Sequence, residues 1–134
     1  MIVLPIRDDG HVVMEHIYRH PLGRWLLECP AGGLDGEDPI TAGRRELEEE
    51  TGYRATSWEH VGSFFVASGH SNERMEVVVA RGLSDDGRVD REHTEQIELE
   101  WLPLDVLIAR ARRGEIEDAP SALALLLYAA RMPD

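Results

Sequence analysis

Glutamates are concentrated between Arg45 and Glu50, and their spacing is the feature of this sequence most able to support chemistry. On a helix, residues three and four positions apart share a face, so Glu46, Glu49 and Glu50 would stand together. Carboxylate oxygens gathered without a cysteine or histidine partner suit a hard divalent cation, Mg²⁺ or Mn²⁺. Such an ion binds phosphate oxygens and holds a water molecule for attack.

The alternative for these residues is a solvated acidic helix face, which is the commoner use of a glutamate-rich helix. Three neighbouring features favour the cation site. The preceding loop is rich in glycine and carries Asp35, Glu37 and Asp38. Gly43 destabilises a helix by about 1 kcal/mol, which close packing would explain. Arg45 stands beside the cluster, where it can orient a carboxylate with two hydrogen bonds. A calcium loop of the EF-hand type is excluded. Neither the acidic loop from Asp35 to Asp38 nor the one from Asp85 to Glu95 has the required spacing of aspartates, with glycine at the sixth place and glutamate at the twelfth.

Composition narrows the classes of function. The 134 residues are expected to form one domain, residues 1–134, with one hydrophobic core. The formal net charge of -12 argues against a nucleic-acid partner. All the strong cations are arginines, which excludes mechanisms that need a lysine. The longest apolar stretch is too short to cross a bilayer, no signal peptide is visible, and the single Cys29 excludes an internal disulfide. We therefore expect a cytoplasmic protein without a membrane partner.

The elements that position the carboxylates are indicated by apolar patterns and turn residues. Strands are expected at residues 2–7, 11–18, 25–29, 58–66, 74–80 and 97–102. A helix is expected from Pro39 to Thr51, because Asp38 is a good N-cap and Gly52 a good C-terminal stop. Two further helices are expected at residues 104–113 and 121–131. This order favours an α/β domain with a mixed sheet and helices on its faces.

The segment from Gly32 to Tyr53 resembles the Nudix box, whose usual form is G-x5-E-x7-R-E-U-x-E-E-x-G-U, with U a bulky aliphatic or aromatic residue. Every fixed position from Arg45 to Tyr53 matches, and Glu37 stands at the required distance ahead of Arg45. The loop from Gly32 to Glu37 is one residue shorter than usual. The resemblance implies a Nudix-type α/β/α sandwich with a mixed β-sheet.

Further segments are similar to ADP-ribose pyrophosphatases within that family. They are residues 17–19, 25–32, 68–73 and 114–119. This resemblance implies the metal ligands Glu46, Glu49, Glu50 and the backbone carbonyl of Ala31. It implies the substrate-binding residues Arg19, Glu28, Gly32, Gly69 and Glu73.

The resemblance also implies which groups act in hydrolysis. Arg45 would orient the ligand cluster, and Glu49 would hold a shared or second ion. The water-activating base is implied to lie in the loop from residue 84 to residue 95. Glu95 is the first choice, Glu92 the second and His93 the third, since neighbouring carboxylates can raise the pKa of a glutamate into the range of a base.

The expected activity is divalent-metal-dependent hydrolysis of a nucleoside diphosphate-linked substrate, with ADP-ribose split into AMP and ribose 5-phosphate. Nucleoside triphosphates (oxidised ones included), nucleotide-sugars and dinucleoside polyphosphates are alternative substrates. A non-catalytic, nucleotide-binding regulatory domain is the alternative of another class. Relatives suggest a homodimer. They also carry an N-terminal strand subdomain that clamps adenine, whereas this sequence starts almost at its first core strand, so Tyr18 or Trp25 would hold the base unless both only pack.

Overall fold

The structure is a computed structural model that describes residues 1–133. Its elements, in chain order, are β1 (Ile2–Ile6), β2 (His11–Arg19), β3 (Arg24–Glu28), α1 (Pro39–Thr51), β4 (Arg54–Phe65), β5 (Arg74–Ser84), β6 (Ile97–Pro103), α2 (Leu104–Arg112) and α3 (Ala119–Arg131). Among residues 1–133, no helix has the length and apolar character needed to span a membrane.

The strands form a six-stranded mixed sheet in the order β3-β2-β1-β5-β4, with β6 also paired to β2. Strands β1 and β5 are parallel, with Ile2 opposite Val77, and the other pairs are antiparallel. Because β1 and β5 are parallel, the chain between them must cross the sheet, and α1 lies in that crossover.

Apolar side chains cover both faces of the sheet. One face packs against α1 through a cluster of Val3, Val13, Leu47, Val78 and Ala80. The other face packs against α2 and α3 in a larger cluster that includes Leu107 and Leu125. Helices on both faces of a mixed sheet make an α/β/α sandwich, so the expected fold class is confirmed.

Helix α1 has the predicted bounds because its ends are capped. The Asp38 carboxylate accepts hydrogen bonds from the backbone N–H groups of Ile40 and Thr41, both at 3.1 Å. Gly52 ends the helix in the left-handed conformation, with φ of 75°. Gly43 packs against the sheet, where an added Cβ would lie 3.0 Å from the Trp58 ring. Close packing therefore does explain this glycine.

The clearest difference from the expected elements is the start of β4, at Arg54 and not at Trp58. Strand β4 is an edge strand, and its first four residues are Arg, Ala, Thr and Ser. They lack the alternation of large apolar and polar residues that indicates a strand. Pairing with β5, which extends to Ser84, nevertheless holds Arg54 in the sheet. Helix α3 also begins earlier than expected, at Ala119, because Asp118 caps it through the backbone N–H of Ser121 at 3.0 Å.

Candidate active site

The three glutamates expected to share a helix face do line one cavity. Glu50 is buried, while Glu46 and Glu49 are partly exposed. The cavity has a volume of about 250 Å³. Its other walls are Ala31, Gly32, Gly33, Asp35, Arg45, Asp90, Glu92 and Glu95. Helix α1, the loop before it and the loop before β6 thus meet at one acidic cavity.

Arg45 joins the loop before α1 to the carboxylates of the helix. Its Nε donates to Glu37 Oε2 at 3.0 Å, and its Nη1 donates to Glu46 Oε1 at 2.7 Å. Its Nη2 donates to the Gly33 carbonyl oxygen at 3.0 Å and to Asp35 Oδ2 at 3.1 Å. The hydrogen bond to Glu37, and then that to Glu46, raises the pKa of Arg45. This guanidinium therefore fixes the loop on the helix and orients Glu46.

Backbone atoms of the loop approach the carboxylates closely. A Cβ on Gly32 would lie 2.0 Å from Glu46 Cδ, so any larger residue would displace that carboxylate. The backbone N–H of Ala31 donates to Glu50 Oε2 at 3.1 Å. Ala31 is itself held at the sheet by a bridge to Ile2. The loop is therefore anchored against two of the three glutamates.

Glu15, in the middle of β2, is a buried carboxylate that sequence reasoning missed. Its exposure is 0%, and within residues 1–133 neither of its oxygens has a hydrogen-bond partner. It faces Glu50 across the gap between sheet and helix. Burial raises the pKa of both carboxyl groups, and the charge of Glu15 raises the pKa of Glu50 further. The only signal in the sequence is a charge on the strand face that carries the buried Val13 and Ile17.

The loop between β5 and β6 is docked on the end of α1. The backbone N–H of Asp90 donates to the Glu49 carbonyl oxygen at 2.8 Å. Arg91 Nε donates to the Glu50 carbonyl oxygen at 2.8 Å, and its Nη1 donates to that of Ile97 at 3.2 Å. These bonds carry the loop carboxylates over the helix, a placement that no pattern in the loop sequence indicates.

Two of the three candidate bases line the acidic cavity. Glu95 is partly buried, and its Oε2 accepts a hydrogen bond from the Glu92 backbone N–H at 3.0 Å. Burial raises the pKa of Glu46 and of Glu50, and the charge of Glu95 adds to both shifts, so Glu95 lies near both side chains. Glu92 is exposed at the rim. His93 is also exposed and is absent from the walls of the cavities described here.

Arg19 lies between the acidic cavity and the remaining space around it. Its Nε donates to Glu28 Oε1 at 2.8 Å, and its Nη2 donates to Glu28 Oε2 at 2.5 Å. Glu28 is 3% exposed, so it holds Arg19 from behind and does not face the cavity. Within residues 1–133 no group binds the second guanidinium edge of Arg19, which can therefore take an anion.

A neighbouring cavity of about 450 Å³ is lined by Arg19, Gly32 and Glu95, and also by Glu73 and Arg74. The structure therefore brings the candidate Glu73 to the site. Sequence reasoning did not single out Arg74, which donates to the neutral Ser63 hydroxyl, at 3.0 Å from Nε and 2.7 Å from Nη2. Within residues 1–133 no carboxylate pairs with it.

The structure places the candidate Gly69 away from the site, and it separates the two aromatic candidates for the adenine contact. Gly69 lies in the exposed loop between β4 and β5 and lines none of the cavities found in residues 1–133. Tyr18 lines a third cavity, of about 310 Å³, with Arg19, Glu50 and Glu95. Trp25 packs edge-on against Tyr18, with ring centroids 5.7 Å apart, and has no place in that wall. Of the two aromatic candidates, only Tyr18 reaches the site.

The residues at the acidic cavity fit a hard divalent cation by their chemistry. Their donors are carboxylate and carbonyl oxygens, and the buried carboxyl groups of Glu15 and Glu50, whose pKa values are raised by burial, would be stabilised in the charged form by a cation. In residues 1–133 no three His, Cys, Asp or Glu side chains already converge as an ion-binding group. Arg45 binds Glu46 through Oε1, so Oε2 is the oxygen of Glu46 that an ion would use.

Known proteins share this architecture. A crystal structure of an ADP compounds hydrolase superimposes with a TM-score of 0.86 at 24% sequence identity, covering 96% of this chain and 69% of that one. At this identity the likeness concerns the fold, and it agrees with the α/β/α sandwich.

Curated relatives are more similar in sequence. The ADP-ribose pyrophosphatase of Mycobacterium tuberculosis is 38% identical over 117 residues, which cover 85% of this chain and 56% of that protein. The ADP-ribose pyrophosphatase of Bacillus subtilis is 34% identical over 92% of this chain and 68% of its own length. A methanol dehydrogenase activator of Bacillus methanolicus is 35% identical with the same coverage. The chain thus spans little more than half of the first relative and about two thirds of the others.

The NUDIX domain family matches residues 1–124, which include β1 to β6, α1, α2 and the start of α3. That range contains the acidic cavity and the loops that close it. The chain belongs to the NUDIX domain family.

Proposed function

We propose that the protein is a divalent-metal-dependent pyrophosphohydrolase that splits ADP-ribose into AMP and ribose 5-phosphate. The observation that carries this proposal is the meeting of Glu46, Glu49 and Glu50 with Glu95 at one cavity. The adjoining arginine-lined space, which shares Gly32 and Glu95 with that cavity, offers room for the rest of a nucleotide.

The acidic cavity would hold the metal through Glu46, Glu49, Glu50 and the Ala31 carbonyl oxygen. A bound Mg²⁺, or Mn²⁺ in its place, would neutralise phosphate charge and make a water molecule more acidic. Arg45 keeps Glu46 in place, and the Ala31 N–H keeps Glu50 in place. The protein thus supplies oxygen ligands on a rigid helix, without having to order a flexible segment first.

Glu95 is the proposed general base, with Glu92 as the second choice and His93 as the third. The base would take a proton from the attacking water while the new P–O bond forms and the bridging P–O bond breaks. Each product keeps one of the two phosphates, so ADP-ribose and water give AMP and ribose 5-phosphate. The hydrogen bond from the Glu92 N–H fixes one Glu95 oxygen and leaves the other for the water.

The remaining substrate groups would be held by the arginine-lined walls. Arg19, oriented by the buried Glu28, offers its free edge to a phosphate. Arg74 is the second cation on the same cavity, and Glu73 can accept hydrogen bonds from ribose hydroxyls there. Gly32 allows close approach beside Glu46, and Tyr18 offers a ring near Arg19 for the adenine. Gly69 would reach substrate only through movement of its loop.

Relatives with other names make nucleotide-sugars the strongest alternative substrates. A GDP-mannose pyrophosphatase of Cronobacter sakazakii is 31% identical over 75% of this chain. A regulatory role is the alternative of another class, since one relative is named a methanol dehydrogenase activator. The family resemblance further supports a cytoplasmic homodimer formed by a single domain, which light scattering on the purified protein would test.

A substrate panel tests the proposal. The purified protein is given ADP-ribose, GDP-mannose, a dinucleoside polyphosphate and a nucleoside triphosphate, each with Mg²⁺ or Mn²⁺, and the products are separated by chromatography. We expect AMP from ADP-ribose at the highest kcat/KM, and no product when EDTA removes the metal. Preferred cleavage of another member would replace the substrate assignment, and no cleavage of any member would reject the hydrolase.

A further inference from the structure

Glu15 is a buried carboxyl group whose neighbour is another buried carboxyl group, that of Glu50. It projects from β2 on the face that carries Val13 and Ile17, and its exposure is 0%. Neither Oε1 nor Oε2 has a hydrogen-bond partner within residues 1–133. Buried carboxylates in folded proteins are almost always paired, hydrogen-bonded or bound to metal. Glu15 therefore needs an explanation that the apolar core does not supply.

The charges around Glu15 are mostly negative. Glu50 faces it directly, and Glu28 and Glu95 are also near enough to raise its pKa. The one cation among its strongest influences is Arg91, whose Nε and Nη1 are hydrogen-bonded to backbone carbonyl oxygens of Glu50 and Ile97. Arg91 therefore compensates part of this charge from a distance and does not pair with Glu15.

The position of Glu15 relative to the acidic cavity indicates what would compensate the rest. Glu50 lines that cavity, and Glu15, on strand β2, is its neighbour. A cation bound at Glu50 would thus be attracted by two buried carboxylates at once. The number of anionic ligands is one of the properties that set the affinity of an oxygen site for a divalent cation.

We propose that Glu15 is a further ligand of the divalent cation that Glu50 holds, so that β2 contributes to the metal site together with α1. This inference rests on the proposed metal-dependent function and adds to it a residue outside the Nudix box. It gives the unpaired carboxylate of β2 a function in cation binding, where the fold alone would favour an apolar side chain.

Direct binding of Mn²⁺ tests this inference without an activity assay. The electron paramagnetic resonance signal of free Mn²⁺ is titrated with wild-type protein and with the Glu15→Gln, Glu50→Gln and Glu100→Gln variants. Glu100 is the matched control because it lies on β6, next to β2, and pairs with His16. We expect Glu15→Gln to weaken Mn²⁺ binding about 10- to 100-fold and Glu100→Gln to leave it unchanged.

The outcomes separate this inference from the proposed function. If the wild type binds no Mn²⁺, the metal-dependent function itself fails. If Glu50→Gln loses affinity while Glu15→Gln binds like the wild type, only the role of Glu15 is overturned. Glu15 would then be a neutral neighbour of Glu50 that glutamine can replace, and not a metal ligand. Circular dichroism confirms that each variant is folded. Should Glu15→Gln not fold, Glu15→Leu is titrated instead, because leucine has no oxygen ligand and suits the buried position, and wild-type affinity in that variant would equally overturn the inference.

Discussion

The backbone N–H of Ala31 donates to Oε2 of Glu50 at 3.1 Å, and this bond joins the loop before α1 to the buried end of the carboxylate face. The bond matters because a carboxylate that is held in one orientation loses little freedom when it binds an ion. Arg45 performs the same task for Glu46, from the solvent side of the loop. Hydrogen bonds thus fix Glu46 and Glu50, two of the four implied metal ligands.

Replacing Arg45 with lysine should reduce turnover while the protein stays folded. Lysine keeps the charge but cannot reach Glu37, Glu46 and the Gly33 carbonyl oxygen together, as the guanidinium does. We expect kcat to fall about 10- to 100-fold and the Mg²⁺ concentration for half-maximal rate to rise. Arg54→Lys is the matched control, since Arg54 pairs at the surface with Glu48 alone. Equal rates for both variants would contradict the role of Arg45.

The buried carboxyl pair predicts a particular pH dependence of stability in EDTA. Burial raises the pKa of Glu15 and of Glu50 above the ordinary value of 4.5, so the folded state binds more protons than the unfolded state above that pH. The free energy of unfolding then falls as the pH rises from 4.5 towards the raised pKa values. Glu15→Gln removes one of the two titrating carboxyl groups, so the free energy of unfolding should fall less with pH in that variant.

Urea denaturation at several pH values between about 5 and about 8 gives the comparison. The wild type should lose stability relative to Glu15→Gln throughout this range. The prediction fails if the difference in free energy of unfolding between the wild type and Glu15→Gln stays constant with pH, or if it changes in favour of the wild type. Either result would show that Glu15 and Glu50 do not titrate as a buried pair.

Ser121 should contribute to stability by fixing the strand that leads to the site. Its Oγ accepts a hydrogen bond from the Cys29 backbone N–H at 2.8 Å and donates to Asp118. Ser121→Ala would leave a buried N–H without an acceptor, which costs about 1 to 3 kcal/mol in the free energy of unfolding. Chemical denaturation measures this value. Ser84→Ala, at the exposed end of β5, should change it by less than about 0.5 kcal/mol.

Arg74 should affect substrate affinity more than the chemical step. Its guanidinium lines the cavity beside the acidic cluster, and among residues 1–133 the Ser63 hydroxyl is its only hydrogen-bond acceptor. We expect Arg74→Ala to raise KM about tenfold with kcat nearly unchanged, the pattern of lost uniform binding. Arg112→Ala, at the exposed end of α2, is the control. A loss confined to kcat would argue against this role.

The sequence predicts α1 and its carboxylate face well because the relevant forces are local. Asp38 and Gly52 cap the helix through neighbours in the chain, and the spacing of Glu46, Glu49 and Glu50 defines a face without any tertiary information. The start of β4 was not predictable from the sequence in this way, since pairing with β5 imposes the strand on a polar segment.

Other parts of the site depend on contacts between distant segments. Glu15 meets Glu50 only because β2 lies under α1, and a pattern of alternation shows which face a residue takes without showing what lies opposite. Glu28 was predicted to touch substrate or to support a residue that does, and the structure shows it bonded to Arg19, a contact that no sequence pattern indicates. Arg74 becomes noticeable only when its cavity is seen.

The most direct test of a metal-dependent hydrolytic site on α1 is the turnover of ADP-ribose by Glu50→Gln at saturating Mg²⁺, measured beside Glu48→Gln. Both glutamates lie on the same helix, but Glu48 pairs with Arg54 outside the cavity. We predict that Glu50→Gln lowers kcat by at least about 100-fold with its circular dichroism unchanged, and that Glu48→Gln stays within about twofold of the wild type. Wild-type turnover by Glu50→Gln would contradict the account.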